Sequence, residues 1–170
     1  YGSAKSALIA HLVVRHCVEF KGARAMLCRR SGPDLRRTVW KEVLDHMSED
    51  FVEGVDYWIK ETEMSVRLKN GSEIITGSWA DKRYKKFRSI KLSMLVIEEI
   101  VENDDQDEEA FKQLNARLRR IPKVPENIFI GATNPDAPSH WVWKYFIEPN
   151  SNGSKHAFRH VFYSRTEDNP

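Results

Sequence analysis

The sequence contains little of what marks secreted, membrane-embedded or strongly polyanion-binding proteins. Only two cysteines occur in 170 residues, Cys17 and Cys28, and both stand in apolar surroundings. They predict buried free thiols in a reducing compartment and argue against a disulfide-stapled secreted domain. No apolar run is long enough to span a bilayer, and no signal peptide is visible. The formal net charge of +2 is nearly neutral, so the domain as a whole is not a strong polyanion binder.

The charge that is present is unevenly distributed. Residues 82–88 are basic with interleaved aromatic residues, and residues 98–109 are acidic. Basic loops of this kind can contact a phosphate backbone, although most such runs are simply solvated. The candidate DNA contacts are Lys82, Arg83, Lys85 and Lys86. The acidic run lacks histidine and dispersed partner acids, which predicts a solvated loop and not a nuclease metal site.

The pattern of apolar residues predicts a single α/β domain with one substantial core. Helices are expected over about 5–20, 35–47, 109–119 and 141–146. Strands are expected over 24–28, 57–59, 65–68, 73–76, 92–97, 127–132 and 157–164, with a hairpin turn at Asn70-Gly71. Strands that alternate with helices indicate a mostly parallel sheet with helices on both faces and a ligand at the carboxyl ends of the strands. No internal repeat occurs.

The start of the sequence is typical of a phosphate-binding loop that leads into a helix. The candidate phosphate-binding residues are Gly2, Ser3, Ala4, Lys5 and Ser6. Backbone N–H groups and the helix N-terminus would face the anion, Lys5 would reach the β- and γ-phosphates, and the Ser6 hydroxyl would hold Mg²⁺. Ala4 stands where the second glycine of the motif belongs, and a chance Ala-Lys-Ser at a helix start is the alternative.

Two further polar clusters follow predicted buried strands. Glu98-Glu99 ends the apolar run 92–97; in P-loop ATPases the first such carboxylate supports Mg²⁺ and the next activates the attacking water. Thr133-Asn134 follows the strand over 127–132 and could sense the γ-phosphate and transmit its loss. Taken alone, these clusters could be solvated acids and an ordinary Asn-Pro turn. In this order along one chain, they predict a nucleotide hydrolase.

These residues resemble the ATPase domain of the large terminase subunit of tailed bacteriophages, the motor that pumps DNA into the procapsid. The matching segments are 1–6, 25–30, 34–36, 96–99, 115–122, 133–135, 140–142 and 168–170, which cover nearly the whole chain. Many motor ATPases share the phosphate-binding loop and the Glu-Glu pair. Asn134-Pro135 followed by the His-Trp-Val-Trp-Lys of residues 140–144 is more specific to terminases. The resemblance implies a P-loop NTPase fold of the ASCE/RecA-like type.

The resemblance also implies roles for individual residues. ATP would be the substrate and Mg²⁺ the cofactor, with Lys5 and Ser6 holding the triphosphate and the metal. Glu98 would support the water shell of Mg²⁺, and Glu99 would be the catalytic carboxylate that polarises the attacking water. Glu98 stands where the family more usually has an aspartate; its longer side chain would change the metal geometry and not the role.

An arginine is expected to stabilise the charge on the transferred phosphoryl group. The resemblance points to Arg88, acting on the ATP of a neighbouring subunit, although Arg88-Ser89 stands where Arg-Gly is more usual. Tyr1 occupies a position at which some terminases carry an arginine, which adds weight to Arg88. The rival arginines are Arg29, Arg30, Arg119 and Arg120.

The expected partners are double-stranded DNA, the portal protein and the small terminase subunit, in a homo-oligomeric ring on the procapsid in the host bacterial cytoplasm, without a membrane. Residues 1–170 would form a single ATPase domain cut from a longer chain, lacking the strand before the phosphate-binding loop and a downstream nuclease domain. Two alternatives remain open. One is another P-loop DNA-dependent ATPase, such as a helicase; the other is a non-catalytic nucleic-acid-binding domain with a decayed phosphate loop.

Overall fold

The computed structural model describes residues 4–78, 85–101, 105–134, 140–151 and 160–163. Its strands are β1 (Arg24–Arg29), β2 (Tyr57–Lys60), β3 (Ser65–Leu68), β4 (Glu73–Ser78), β5 (Met94–Glu98) and β6 (Ile128–Ala132). Its α-helices are α1 (Ala4–Glu19), α2 (Gly32–Arg37), α3 (Val39–Asp50), α4 (Asp105–Asn115) and α5 (Glu148–Ser151), with a π-helical turn at Trp143–Ile147 before α5. Within these ranges, no helix is both long and apolar enough to cross a membrane.

The six strands form one mostly parallel sheet in the order β2-β3-β4-β1-β5-β6. β1 lies parallel to both β4 and β5, and β5 lies parallel to β6. β2 and β3 extend the sheet beyond β4 as antiparallel strands. The prediction of an α/β fold with a mostly parallel sheet is confirmed.

The two central strands sort their side chains alternately onto two faces, each covered by helices. On β1, Ala25 and Leu27 join the core formed with α1 and α3, whereas Met26 and Cys28 join the core formed with α4. β5 divides in the same way, because successive side chains of a strand point to opposite faces. Both faces are therefore dry, which explains why these strands consist of continuous apolar runs.

The Asn70-Gly71 turn confirms the predicted hairpin and also ends the first helix. Gly71 has a φ of +86°, a conformation that glycine adopts without strain. The Asn70 amide donates to the carbonyl of Cys17 at 2.8 Å, and the Ser72 hydroxyl donates to the carbonyl of Phe20 at 2.8 Å. Carbonyls at a helix C-terminus lack partners within the helix, so this turn satisfies them and fixes α1 against the sheet.

Two predicted helices differ from the observed ones. The helix expected over 35–47 is two helices, because Thr38 takes non-helical angles of φ −109° and ψ −110° between α2 and α3. The helix expected over 109–119 begins earlier, at Asp105, so the second half of the acidic run is helical and not a loop; acidic residues are favourable in a first helical turn. It also ends earlier, because Leu118 leaves it to bridge Leu92 beside β5.

The last two predicted elements are also corrected in part. The helix expected over 141–146 is present but contains the π-helical turn and continues to Ser151. The strand expected over 157–164 is wrong at residues 160–163, which are the part of it that the structure describes and which form no strand. The alternating apolar residues there have no neighbouring strand among the described residues.

Both cysteines are buried free thiols, as predicted. Burial raises the pKa of the Cys17 thiol to about 12, because a thiolate would lose its hydration in the core. Burial also raises the pKa of the Cys28 thiol. Neither group forms thiolate at neutral pH, which excludes both as nucleophiles.

Candidate nucleotide-binding site

Three parallel strands end at one edge of the sheet, and α1 begins at that same edge. β1 ends at Arg29, β5 at Glu98 and β6 at Ala132, and the register pairs Glu98 with Ala132. The carboxyl ends of parallel strands beside a helix N-terminus form the usual ligand site of an open α/β sheet. The fold therefore gathers the predicted polar clusters at one place.

The candidate metal-binding pair is in direct contact. The hydroxyl of Ser6 donates to Oε1 of Glu98 at 2.7 Å, although the two residues are 92 positions apart. Glu98 is 6% exposed at the end of β5. A hydroxyl and a carboxylate oxygen at this spacing are the hard oxygen donors that Mg²⁺ prefers, so the residues present fit a magnesium ion and its water shell.

Two residues that the sequence did not assign to the metal site hold the other oxygen of Glu98. The Thr38 hydroxyl lies 2.7 Å from Oε2, and Arg29 Nη1 lies 3.3 Å from the same atom. The side chain of Arg29 is 15% exposed, so this ion pair is largely shielded from water. The sequence offered Arg29 only as a rival for the catalytic arginine. No local pattern marks Thr38, because its partner lies 60 positions away.

The candidate phosphate-binding lysine contacts the candidate sensor. Lys5 Nζ donates to Oδ1 of Asn134 at 2.8 Å. The neighbouring Thr133 donates its hydroxyl to the carbonyl of Asn134 at 3.0 Å, which shapes the chain just beyond β6. Lys5, Ser6, Glu98 and Asn134 are thus brought together at one edge of the sheet.

Glu99 stands at the sharp bend that follows β5. Its φ is +50°, in the left-handed region that non-glycine residues rarely adopt and that recurs at functional sites. The next residue, Ile100, donates its N–H to the carbonyl of Ala132 at 3.2 Å. This bond keeps the half-buried Glu99 beside the end of β6, where Thr133 begins.

Arg88 lies away from this cluster. It is exposed, and its carbonyl accepts a hydrogen bond from the side chain of Arg117, whose own carbonyl accepts the N–H of Leu92. Leu92 precedes Glu98 by six residues of extended chain, a span of roughly 20 Å. Arg88 is therefore held near the amino end of β5, at the opposite edge of the sheet.

The other candidate residues fall into two groups. Lys85 and Lys86 are exposed, and Lys86 Nζ lies 4.7 Å from the centroid of the Phe87 ring. Ala4 is the first residue of α1 and is exposed. Gly2, Ser3, Lys82 and Arg83 lie outside the described residues.

The aromatic segment beyond the sensor packs onto α4. The ring centroid of Phe111 lies 5.2 Å from that of Trp141 and 5.6 Å from that of Phe146. Phe111 itself is buried in the core face that α4 covers. These ring contacts give the segment a structural role in packing against α4.

An open cavity of about 550 Å³ lies elsewhere in the described part of the chain. It is lined by Arg120, Ile121, Lys123, Val124, Pro125 and Asn127. These residues precede β6, so the cavity opens at the amino edge of the sheet, opposite the Ser6–Glu98 pair. The described residues hold no group of three or more His, Cys, Asp or Glu side chains that could form a metal cage.

Comparison with known proteins agrees with this geometry. A family model described as phage terminase large subunit matches residues 1–170. No curated protein matches. Among solved structures, the large terminase of a thermophilic bacteriophage is 15% identical with a TM-score of 0.68, over 85% of this chain and 34% of that one. The HK97 bacteriophage large terminase is 13% identical with a TM-score of 0.64, over 96% and 34%.

Three further structures match this chain, and two of them contain a nucleotide. The N-terminal domain of the DNA packaging ATPase from bacteriophage phi29 is 14% identical with a TM-score of 0.60, over 85% of this chain and 74% of that one. The terminase of the thermophilic phage also matches in crystals with ADP and with ATP-γ-S, at TM-scores of 0.64 and 0.66. The chain spans about a third of the length of the large terminases that it matches.

The parallel sheet, with a lysine and a serine at the start of α1 and a glutamate at the end of a neighbouring strand, is the arrangement of the P-loop fold. Because the family model covers the whole chain, the chain belongs to the phage terminase large subunit family. Its fold is that of the solved large terminases. The sequence-based predictions of this family and of its fold are confirmed.

Proposed function

We propose that this domain hydrolyses ATP to drive double-stranded DNA into a procapsid, as part of a complete terminase large subunit. The observation that carries the proposal is the convergence of Lys5 and Ser6 with Glu98 and Asn134 at the carboxyl edge of the sheet. Residues from three distant segments meet there. Lys5 could contact a triphosphate, Ser6 and Glu98 its metal, and Asn134 the γ-phosphate or the attacking water.

Binding of MgATP follows from the chemistry of these groups. Lys5 offers an ammonium to the β- and γ-phosphates at the N-terminus of α1, where the helix dipole also favours an anion. The Ser6 oxygen would ligate Mg²⁺ through a lone pair while its O–H continues to donate to Oε1 of Glu98, so the observed 2.7 Å bond is compatible with an occupied site. The metal, when bound, neutralises charge on the phosphates.

Hydrolysis needs a group that aligns and polarises water, and we assign this role to Glu99. It directly follows the metal-supporting Glu98, and its left-handed conformation turns the chain sharply at the end of β5. A carboxylate in that position can accept a proton from the water that attacks the γ-phosphate.

Coupling of hydrolysis to movement is assigned to Thr133 and Asn134. The bond from Lys5 to the neutral Asn134 amide is weaker than a bond from the same ammonium to a phosphate. An incoming nucleotide therefore competes with Asn134 for Lys5, and loss of the γ-phosphate restores the bond. The chain beyond β6 would follow this exchange.

We assign the stabilising arginine to Arg88 of a neighbouring subunit. Arg88 is exposed, and its hydrogen bond with Arg117 holds it near the amino end of β5. It is therefore far from Glu98 of its own chain. An arginine in that place can serve a nucleotide only across an interface between copies, which agrees with a homo-oligomeric ring on the procapsid.

The remaining proposed partners, which are DNA, the portal protein and the small terminase subunit, follow from membership of the terminase family. Lys85 and Lys86 are exposed cations that, with Lys82 and Arg83, could follow a DNA backbone. The motor would also contact the portal protein and the small terminase subunit in the host bacterial cytoplasm.

We also propose that the complete chain adds a strand beside β6 and a nuclease domain. Among the described residues β6 pairs only with β5, and its side chains are partly exposed, in contrast with the wholly buried β5. A strand leading into the phosphate-binding loop would pair with that edge and bring backbone N–H groups to the phosphates.

The test is Mg²⁺-dependent ATP hydrolysis by the full-length protein, comparing wild type with Glu99→Gln and Lys5→Ala. Loss of turnover in both, with nucleotide binding retained in Glu99→Gln, is expected, and DNA packaging into procapsids is then measured. Unchanged turnover in Glu99→Gln would overturn the assignment of the water-activating residue. DNA-stimulated hydrolysis without packaging would favour a helicase-like ATPase. Absence of turnover in the wild type, with DNA and procapsids supplied, would favour a decayed site.

A further inference from the structure

The hydroxyl of Thr38 is used in an unusual way for its place in the fold. Thr38 is the residue at which α2 ends and α3 begins. A threonine before a helix normally accepts a hydrogen bond from an N–H group in the first turn of that helix. Thr38 makes no such side-chain bond to α3. Its hydroxyl is directed instead toward the metal site.

Three groups surround the Thr38 oxygen. It lies 2.7 Å from Oε2 of Glu98 and 2.9 Å from the carbonyl of Asp34, and it accepts a hydrogen bond from Arg29 Nη1 at 3.4 Å. A hydroxyl has a single proton to donate. The carboxylate is both nearer and charged, so the proton is donated to Glu98 in preference to the Asp34 carbonyl.

This bond complements the one made by Ser6. The side chain of Glu98 is only 8% exposed, so water contributes little to its orientation. Oε1 receives the proton of Ser6, while Oε2 is held by Thr38 at 2.7 Å and by Arg29 at the longer distance of 3.3 Å. The bond from Thr38 is therefore the shorter of the two that hold Oε2. It does most to fix the rotation of the carboxylate, since the Ser6 bond acts on the other oxygen.

We infer that Thr38 is a positioning residue for the metal-supporting carboxylate. Its hydroxyl holds Oε2 so that Oε1 remains presented to Ser6 and to the water shell of Mg²⁺. It acts through Glu98 and not on the reacting atoms. The same bond attaches the junction of α2 and α3 to the metal site. This inference rests on the proposed ATPase function, because it assigns Thr38 a task at the same site.

The experiment removes the hydroxyl of Thr38 and keeps the shape of its side chain. In the full-length protein, Thr38→Val is compared with Thr38→Ser, which restores the hydroxyl, and with Thr76→Val, a matched control in β4 whose hydroxyl bonds only weakly to the Glu63 carbonyl at 3.4 Å. Two quantities are measured across a Mg²⁺ titration: ATP turnover, and the affinity for a fluorescent ATP analogue with Mg²⁺ or with EDTA. Thr38→Ala replaces Thr38→Val if the latter does not fold.

Removal of a hydrogen bond to a charged group predicts an effect of about tenfold or more. In Thr38→Val, the Mg²⁺ concentration for half-maximal turnover is expected to rise by about that factor, and the gain in nucleotide affinity that Mg²⁺ provides should shrink correspondingly. Affinity in EDTA should stay within about threefold of the wild type, since metal-free phosphates would contact Lys5 and not Glu98. Thr38→Ser should recover most of the loss, and Thr76→Val should behave as the wild type.

The outcomes separate this inference from the proposed function. A folded Thr38→Val protein with wild-type Mg²⁺ dependence would overturn the positioning role while leaving the ATPase function intact. An equal loss of affinity with Mg²⁺ and in EDTA would also overturn it, because that result describes a general structural role. If the wild type does not turn over but its Mg²⁺-dependent nucleotide affinity requires the Thr38 hydroxyl, the positioning role stands and the proposed hydrolysis falls. A wild type with neither property overturns both.

Discussion

Lys5 and Asn134 are separated by 129 residues, yet Lys5 Nζ donates a hydrogen bond to Oδ1 of Asn134 at 2.8 Å. The bond joins the start of α1 to the chain that leaves β6. It places the group that would hold the γ-phosphate against the group that would report its loss. A motor needs such a contact, because energy from hydrolysis has to change the position of a second segment.

Replacement of Asn134 is expected to separate hydrolysis from DNA movement. In the full-length protein, Asn134→Leu keeps the size of the side chain and removes the amide, so Lys5 remains available to the phosphates. ATP turnover should stay within about tenfold of the wild type, while packaged DNA per ATP hydrolysed falls to background. Packaging and turnover are measured in the same reaction. Retention of the wild-type ratio would show that Asn134 does not couple the two.

A suitable control is Asn115→Leu, which changes the same residue type at the end of α4, outside the nucleotide cluster. It should preserve both turnover and the ratio of DNA to ATP. A fall in the ratio in both variants would indicate a general loss of assembly and not a sensor role.

His16 predicts a loss of stability toward acidic pH. It is 4% exposed, its Nε2 lies 2.9 Å from Ser93 Oγ, and burial lowers the pKa of the ring below its ordinary value of 6.5. The unfolded chain therefore binds this proton at a higher pH than the folded chain does. The contribution of the neutral His16 ring to the free energy of unfolding is complete above pH 6.5. It is lost as the pH falls below that value toward the pKa of His16 in the folded chain.

The measurement is urea unfolding between pH 5 and about 8 for wild type and His16→Gln. Glutamine can keep a polar contact to Ser93 and does not titrate, so the free energy of unfolding should depend less on pH. His11→Gln, at an exposed position of the same helix, should retain the wild-type slope. A slope unchanged by His16→Gln would mean that other groups set the acid sensitivity.

The core around Gly77 in β4 leaves no room for a side chain. A Cβ atom at this position would overlap Met26 Cε and lie 2.8 Å from Phe87 Cε2. Gly77→Ala should therefore lower the free energy of unfolding by about 1–3 kcal/mol, the usual cost of overpacking a core. It should also displace the segment at 85–90 that carries Arg88.

Gly131→Ala is the matched comparison for this overpacking. Its added Cβ would meet the Phe129 ring at 3.2 Å, a much milder conflict at the less buried β6. Denaturant unfolding should rank wild type, Gly131→Ala and Gly77→Ala in order of decreasing stability. The reverse order of the two variants would show that Met26 and Phe87 move aside easily.

The cysteines predict slow thiol chemistry in the folded state. Cys17 has its pKa raised to about 12 by burial, and Cys28 is equally inaccessible. Maleimide labelling followed by peptide mass spectrometry should find both residues unmodified in native protein and modified in denaturant. Rapid native labelling of Cys28 would show that the core between β1 and α4 opens readily.

Much of the fold could be predicted from local pattern. The continuous apolar runs predicted β1 and β5 because a strand buried on both faces leaves no polar alternation, and the Asn70-Gly71 pair predicted its hairpin because glycine alone adopts the required φ without strain. The boundaries of α4 were less certain, since Leu118 leaves the helix to bridge Leu92, a partner distant in sequence.

By itself, the sequence determined that Lys5 and Ser6 stand at the start of a helix, and that Glu98 and Asn134 end or follow strands. These features depend on hydrogen bonding and burial within a few residues, so they can be read along the chain. Only the tertiary structure decided that Thr38 interrupts a helix to hold Glu98, that Arg29 shares this carboxylate, and that Arg88 lies at the far edge of the sheet. Those relationships depend on which strands lie side by side, and that order is set by the packing of the whole domain.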